Sequence, residues 1–258
     1  MSNFQISKED LVCINYGQDS HSSLTIEQFN SFNESILGIN KIDLPTIKKE
    51  AICIIFDLEG FTSFCFKPSS LPIITNFLND FLRWIFLMVR LKNIQKRNDK
   101  YIALFSSFPF FNKFMGDGVM FIYDTEIIDV PGIHNIIVQM KEICDEYHTL
   151  FYSQYSSIYQ DMPKQLRCGI ARGPVFSIGG GQDYVGPCIN KASRLQKLDE
   201  FSFSFSLEGI DISKVGRNPE KYYTSIRSTL RGAEREERIG VLLTEFNSLS
   251  QEAKKEYK

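Results

Sequence analysis

The sequence predicts an α+β fold, built as one domain around a mostly antiparallel sheet. Three observations support this: a strand-like apolar run at residues 51–56, glycine turns that join short strand candidates into hairpins, and amphipathic stretches between them. Helices interspersed with hairpins are typical of this class. The chain has 258 residues, which is enough for one sizeable core.

The first two elements are a buried strand and a helix. Residues 51–56 read AICIIF, and an unbroken run rich in β-branched side chains is typical of a strand buried on both faces. The acidic turn 57–60 (DLEG) follows. Residues 71–92 carry apolar side chains three and four positions apart, which predicts an amphipathic helix with Pro72 in its first turn.

The rest of the domain is predicted as hairpins and helices. Residues 112–123 read NKFMGDGVMFIY, which predicts two strands joined by the turn Gly116-Asp117-Gly118. The elements expected after them are a helix that begins at Pro131, a strand pair over 166–178 broken at Arg172-Gly173-Pro174, a glycine loop at 179–182, a helix over 186–198, and strands at 201–207 and 239–244.

Two polar segments flank the predicted domain, which spans residues 49–247. Residues 1–48 are weakly periodic and are expected to form an N-terminal extension with a short helix near 26–37. Residues 248–258 are expected to be a frayed tail. Six cysteines without a CxxC pair predict free thiols in a reducing compartment. Charged residues interrupt the longest apolar stretch, 77–91, so we expect no membrane span and a cytoplasmic location.

The charge balance bears on the class of partner. The formal net charge is -2, and no cluster of Lys and Arg suggests a groove for nucleic acid. This disfavours a palm-type polymerase, which also uses paired carboxylates but needs a basic groove for a nucleic-acid strand.

Two acidic turns are candidates for metal binding. Asp57 ends a predicted buried strand and Asp117 lies at a hairpin tip. Paired carboxylates suit divalent cations that bridge phosphates, and the amides after Asp57 could cradle a triphosphate. The alternative is structural, because Asp next to Gly is common in turns.

A third segment, residues 183–194, places Asn190 and Arg194 four positions apart, on one helix face. An amide and a guanidinium could hold one ligand there, and arginine suits a phosphate whose charge grows in a transition state. In the alternative, Arg194 is a surface residue paired with Asp199 or Glu200.

Together, the motifs at 57–62 (DLEGFT), 113–118 (KFMGDG) and 183–194 (DYVGPCINKASR) resemble the class III nucleotidyl cyclase catalytic domain. The resemblance covers roughly residues 51–241 and implies an enzyme that uses two divalent cations, Mn²⁺ or Mg²⁺. It makes Asp57, Asp117 and the Leu58 carbonyl the metal ligands, while Asn190 orients the ribose and Arg194 stabilises the pentacoordinate phosphate. It also implies a homodimer with active sites at the interface.

The same resemblance implies the contacts to the substrate, a nucleoside triphosphate. Gly60, Phe61 and Thr62 fall on the phosphate loop, and Lys113 and Asp183 fall where adenylate cyclases hold the base. The family often places a lysine on the triphosphate after a Lys-Gly step. This chain departs from the pattern there, because Arg231 or Arg235 would have to replace that lysine. A second departure is an apparent insertion at 92–111.

The choice of nucleotide stays open between two readings. Lys113 and Asp183 favour ATP, since lysine donates to a purine nitrogen and aspartate accepts from an exocyclic amine. The sequence around the motifs resembles that of the pyrimidine nucleotide cyclases of bacterial antiphage (Pycsar-type) systems. That resemblance implies UTP, or else CTP, as substrate and a cyclic product read by a separate effector. A catalytically inactive, cyclase-like regulatory module is the third alternative, although both carboxylates and the Asn190–Arg194 pair are present.

Overall fold

A computed structural model describes residues 12–16, 19–23, 25–27, 38, 44–97, 101–232 and 234–257. The strands are β1 (Val12–Tyr16), β2 (Asp19–Ser23), β3 (Lys48–Leu58), β4 (Ile94–Arg97), β5 (Ile102–Leu104), β6 (Phe111–Phe114), β7 (Gly118–Asp124), β8 (Leu166–Ile178), β9 (Asp183–Val185), β10 (Phe203–Ser206), β11 (Tyr223–Ser228) and β12 (Glu237–Leu242). The helices are α1 (Phe61–Cys65), α2 (Ile74–Lys92), α3 (Val130–Glu146), α4 (Pro187–Leu195), α5 (Leu243–Ser248) and α6 (Gln251–Lys255).

The chain divides into two compact units. The main unit comprises residues 49–175 and 186–258, and the small unit comprises residues 1–48 and 176–185. In the small unit, β1 and β2 form an antiparallel hairpin, and β9 pairs with the end of β8. Most of the helix predicted at 26–37 lies outside the described residues.

The main unit is organised around one sheet with the strand order β11-β12-β10-β8-β3-β7-β6. Strand β3 pairs antiparallel with β7, and β6 with β7 forms the predicted hairpin. Residues 51–56 are all buried, as expected for a central strand. The pair β8 and β10 is parallel. The predicted α+β class with a mostly antiparallel sheet is confirmed.

The core lies where α2 and α3 pack against one face of this sheet. Phe77 and Phe81 of α2 are fully buried, and both rings make edge contacts with Phe151. Phe151 belongs to a π-helical turn, Tyr147–Tyr152, that continues α3 into a last short turn, Ser153–Tyr155. The Asp129 side chain caps α3 by accepting from the Gly132 amide at 2.8 Å, which fixes where the predicted second helix begins.

Three elements differ from the prediction. Residues 166–178 form one continuous strand, not a broken pair. Pro174 is tolerated because β10 pairs with β8 only at residues 168–170, so its missing N–H interrupts no bond to β10. Strand β11 was not predicted. The expected frayed tail is helical at α6, and Tyr257 donates a hydrogen bond to Glu200 at 2.5 Å.

The apparent insertion at 92–111 contains a small hairpin. Strands β4 and β5 pair antiparallel, and the buried Asn93 closes their base. Its side chain accepts from the Ser106 amide at 2.9 Å and donates to the Ser106 and Ser107 carbonyls. A buried amide that satisfies both its donor and its acceptor capacity gives the insertion a defined path.

Two broader predictions concern the cysteines and the absence of a membrane span. The five cysteines outside residues 12–16 are all free thiols, in agreement with the absence of a CxxC pair. Helices long and apolar enough to cross a membrane do not occur among the described residues.

Candidate active site

The two predicted metal-binding carboxylates lie at the same end of the sheet. In the β3–β7 ladder Asp57 is opposite Gly118. Asp117 is the residue before Gly118, so its backbone lies next to the end of β3. The Leu58 amide donates to the Asp117 carbonyl at 3.0 Å. A Cβ at Gly118 would lie 2.0 Å from the Phe56 carbonyl oxygen. Glycine is therefore required for the hairpin tip to approach β3 this closely.

The charge of Asp117 acts on the Asp57 carboxylate. Burial, and then the charge of Asp117, raise the pKa of Asp57 to about 6, against opposing effects of Lys197 and Arg167. Asp117 also contributes, after burial, to a raised pKa of the Cys65 thiol. The end of α1 thus lies beside the same carboxylates, and the site holds like charges at close range.

These groups fit a divalent cation. Two carboxylates and a backbone carbonyl offer only oxygen donors, which Mg²⁺ and Mn²⁺ prefer. A bound cation would offset both the burial and the Asp117 charge that raise the pKa of Asp57. The described residues contain no cluster of three or more His, Cys, Asp or Glu side chains suited to a metal. Further ligands would have to come from water or from the substrate's phosphates.

The predicted phosphate loop follows Asp57 directly. Gly60 adopts a left-handed conformation (φ 80°) and precedes α1. The first intrahelical donor is the Phe64 amide, which bonds to the Gly60 carbonyl at 3.0 Å, so the amides of residues 61–63 precede the helical ladder. The Phe61 ring stacks on Phe77. Phe61 therefore has a packing role through its side chain and can offer a ligand only its backbone.

Arg167 is a cation beside the candidate carboxylates that the sequence alone does not single out. It lies near the start of β8, where the Glu59 amide donates to the Gln165 carbonyl at 3.0 Å. Its guanidinium is paired with the Glu59 carboxylate. Its positive charge opposes the rise in the pKa of Asp57 that burial and Asp117 cause. Because β3 and β8 are distant in sequence, no local pattern could have indicated this cation.

Asn190 and Arg194 share one face of α4 and line a cavity of about 410 Å³. Its other lining residues are Gly186, Pro187, Lys191, Leu230 and Glu237. Lys191 is paired with Glu237 at 2.9 Å and with Glu208 at 2.6 Å. Arg194 forms no ion pair with Asp199 or Glu200 among the described residues. The Arg194 guanidinium thus lines a concave surface. This does not favour the alternative in which Arg194 is a surface residue paired with Asp199 or Glu200.

The turn between β11 and β12 adds further cations near this cavity. Gly232 is in the left-handed region (φ 74°), and a Cβ there would lie 3.4 Å from the Arg194 guanidinium. Arg231 precedes it and Arg235 follows three residues later, both exposed. Arg231 adjoins the residue that borders Arg194, which makes it the better placed of the two.

The residues predicted to read the base fall in different units. Lys113 is exposed on β6, opposite Met120 of β7. Asp183 belongs to β9 of the small unit, where its carboxylate accepts from the Tyr184 amide at 2.8 Å. Within the main unit, the cavity is lined by Asn190 and Arg194 but by neither Asp57 nor Asp117. One chain thus carries the Asp57–Asp117 pair and the Asn190–Arg194 pair on separate elements.

The sequence matches no protein-family model and no curated protein. The fold matches the guanylyl cyclase Cya2 with a TM-score of 0.57 and 15% identity, over 77% of this chain and 94% of that one. It also matches a bacterial light-regulated adenylyl cyclase with a TM-score of 0.53 and 14% identity, over 81% of this chain and 55% of that one. The chain therefore has the fold of adenylyl and guanylyl cyclases. At the level of the fold, the resemblance drawn from the motifs is confirmed.

Proposed function

We propose that the chain is a metal-dependent nucleotidyl cyclase that converts a nucleoside triphosphate into a 3′,5′-cyclic monophosphate and pyrophosphate. The observation that carries this proposal is the carboxylate pair: Asp57 and Asp117 lie together where β3 ends and β7 begins, beside the backbone of a phosphate loop. The neighbours in fold are called guanylyl and adenylyl cyclases, which agrees with this chemistry.

In the reaction, the ribose 3′-oxygen attacks the α-phosphorus and the bond from the α-phosphorus to the oxygen that bridges to the β-phosphate breaks. Pyrophosphate leaves with that oxygen, and the 3′-hydroxyl proton passes to solvent water. Two divalent cations held by Asp57, Asp117 and the Leu58 carbonyl would neutralise the triphosphate and lower the pKa of that hydroxyl. Arg194 would stabilise charge on the pentacoordinate phosphorus and Asn190 would orient the ribose. Arg167 and Arg231 would hold the leaving pyrophosphate.

The substrate we propose is a pyrimidine nucleotide, UTP ahead of CTP, with a role as signal generator in antiphage defence and a separate effector for the product. Support comes from the sequence at 113–124 and 183–196, which resembles that of the pyrimidine nucleotide cyclases. A specific observation favours ATP as the second candidate: Lys113 and Asp183 have the donor and acceptor character that an adenine edge requires.

The functional unit we propose is a homodimer with two shared active sites. Support comes from the placement of Asn190 and Arg194 in a cavity that neither carboxylate lines. A two-fold axis uses each surface patch twice, so one subunit would contribute the carboxylates and the other the Asn190–Arg194 pair.

The decisive experiment is incubation of the purified protein with ATP, GTP, CTP and UTP separately, each with Mn²⁺, and identification of products by mass. We expect cyclic UMP as the main product and none after chelation. If cyclic AMP dominates at matched concentrations, the pyrimidine assignment is wrong. If no triphosphate is cyclised, the catalytic proposal itself is wrong and the inactive regulatory module is favoured.

A further inference from the structure

Lys197 follows α4 by two residues and lies outside the cavity that Asn190 and Arg194 line. Its amide donates to the Arg194 carbonyl at 3.1 Å, which keeps it on the last turn of the helix. It has no part in the catalytic machinery proposed above. The contacts of the segment around it place it beside the carboxylates of its own chain, as follows from the faces of the sheet.

The side chains of Asp57 and Arg167 project from the same face of the sheet. Strands β3 and β8 are neighbours, and side chains alternate between the two faces of a strand. The core against α2 and α3 includes the residues on either side of each, which are Phe56, Leu58, Leu166 and Cys168. Asp57 and Arg167 therefore point to the opposite face.

Helix α4 packs on that opposite face. A Cβ at Gly169, which points the same way as Arg167, would lie 2.4 Å from the Gln196 amide nitrogen. The segment after the helix continues to Arg167, whose guanidinium lies 3.8 Å from the Asp199 carboxylate. Lys197 is thus held between a residue packed on β8 and a residue beside Arg167.

Lys197 is a cation that is available to a ligand at the carboxylates. The Arg167 side chain is only 16% exposed and is paired with Glu59. Lys197 is exposed and forms no ion pair within the part of the chain that the structure describes. Burial and Asp117 raise the pKa of Asp57, and the charge of Lys197 opposes that rise more than the charge of Arg167 does. An exposed ammonium beside a metal-binding pair suits a highly charged phosphate ligand.

We propose that Lys197 binds the pyrophosphate portion of the substrate at the carboxylates of its own chain. This inference rests on the proposed cyclase function. Negative charge grows on the leaving oxygen as the bond to the α-phosphorus breaks, and a lysine ammonium donates charge-assisted hydrogen bonds to such a group. In the proposed homodimer the end of α4 would then serve both sites, with Arg194 at one and Lys197 at the other.

The binding test is calorimetric titration of the full chain with pyrophosphate in excess Mg²⁺. Lys197→Gln removes the charge and should weaken pyrophosphate binding at least about tenfold, because a lost charge-assisted hydrogen bond costs that order. Lys197→Arg should retain most of the affinity. The matched control is Lys221→Gln, an exposed lysine in the 3₁₀ turn Pro219–Lys221, and it should bind as the wild type does.

Titration with Mn²⁺ alone separates a ligand contact from general damage to the site. Removal of a positive charge beside Asp57 should leave the affinity for Mn²⁺ unchanged or raise it, whereas a disturbed site would bind Mn²⁺ more weakly. The proposal is overturned if the wild type binds no pyrophosphate, if Lys197→Gln binds it equally well, or if that variant loses Mn²⁺ affinity in parallel. If these binding results hold but no triphosphate is cyclised, the proposed function fails while the pyrophosphate site stands.

Mixed chains show which of the two sites Lys197 serves. When Arg194→Ala chains exchange with Asp57→Ala/Lys197→Gln chains, the one intact site takes its carboxylates and Lys197 from the first chain. Activity should then match that of the mixture without the lysine change. With Lys197→Gln on the Arg194→Ala chain instead, the recovered kcat/KM should fall at least about tenfold. The opposite order would overturn the assignment to the chain's own carboxylates, and if no mixture recovers activity, the calorimetric results alone decide.

Discussion

Asp57 is a carboxylate held where its own charge is unfavourable. Burial and the neighbouring Asp117 raise its pKa to about 6, so the ionised pair weakens the metal-free protein. Such a cost is typical of a functional site, where chemistry and stability conflict. The residue therefore offers a test of metal binding that does not depend on turnover.

Replacing Asp57 with asparagine keeps the shape and removes the charge. We expect Asp57→Asn to abolish cyclisation and to raise the melting temperature of the metal-free protein by a few degrees, about 2–4 °C per kcal/mol for a chain of this size. Mn²⁺ should raise the melting temperature of the wild type but not of the variant. The measurement is thermal unfolding with and without Mn²⁺.

The control for this prediction is Glu220→Gln, an exposed carboxylate in the 3₁₀ turn Pro219–Lys221. It should leave both activity and the response to Mn²⁺ unchanged. Equal stabilisation of wild type and Asp57→Asn by Mn²⁺ would show that the metal binds elsewhere.

At the scale of elements, the close approach of the β6–β7 hairpin to β3 depends on one glycine. A Cβ at Gly118 would lie 2.0 Å from the Phe56 carbonyl oxygen, whereas a Cβ at Gly116 would meet nothing within 4 Å. The two glycines therefore test different effects: a side chain at Gly118 would disturb the close packing against β3, whereas one at Gly116 would strain only the backbone conformation.

We expect Gly118→Ala to lower the free energy of unfolding by more than about 2 kcal/mol and to abolish activity, because the strand must move away from Asp57. Gly116→Ala should cost only about 1 kcal/mol, for its left-handed φ of 96°. Urea unfolding measures both. Equal losses in the two variants would mean that the approach to β3 does not limit the hairpin.

Elements with strong local patterns could be predicted from the sequence, and those fixed by distant contacts could not. The β3 strand and the α2 helix follow from apolar runs and spacing. Strand β11 alternates weakly, with polar side chains at Thr224, Ser225 and Arg227, so its pattern does not stand out. The tail packs through Tyr257 against Phe201, a contact no local pattern records. The Asp57–Asp117 pair was predictable from its motifs, but Arg167 was not.

At the scale of the whole molecule, the separation of the two half-sites predicts complementation. Asp57→Ala and Arg194→Ala chains should each be inactive alone. When mixed and allowed to exchange, half of the dimers contain one chain of each kind, and each such dimer has one intact site of two. Equal mixtures should therefore regain about a quarter of wild-type activity.

Subunit exchange is verified by native mass measurement of the mixed dimers. As a control, two preparations of Asp57→Ala should regain nothing on mixing. Verified exchange with no recovery of activity would mean that each chain carries a complete site, and the shared-site proposal would be wrong.

The position of Lys113 has a consequence for protein engineering. It lies on β6, which is the last strand in the order of the described sheet and is only four residues long. Short, charged edge strands resist pairing between molecules, which is a first step of aggregation. An exchange of Lys113 intended to change base preference would also alter this protection. We expect Lys113→Val to reduce soluble yield while Lys113→Glu retains it, and ultracentrifugation of the two variants would measure this difference in association.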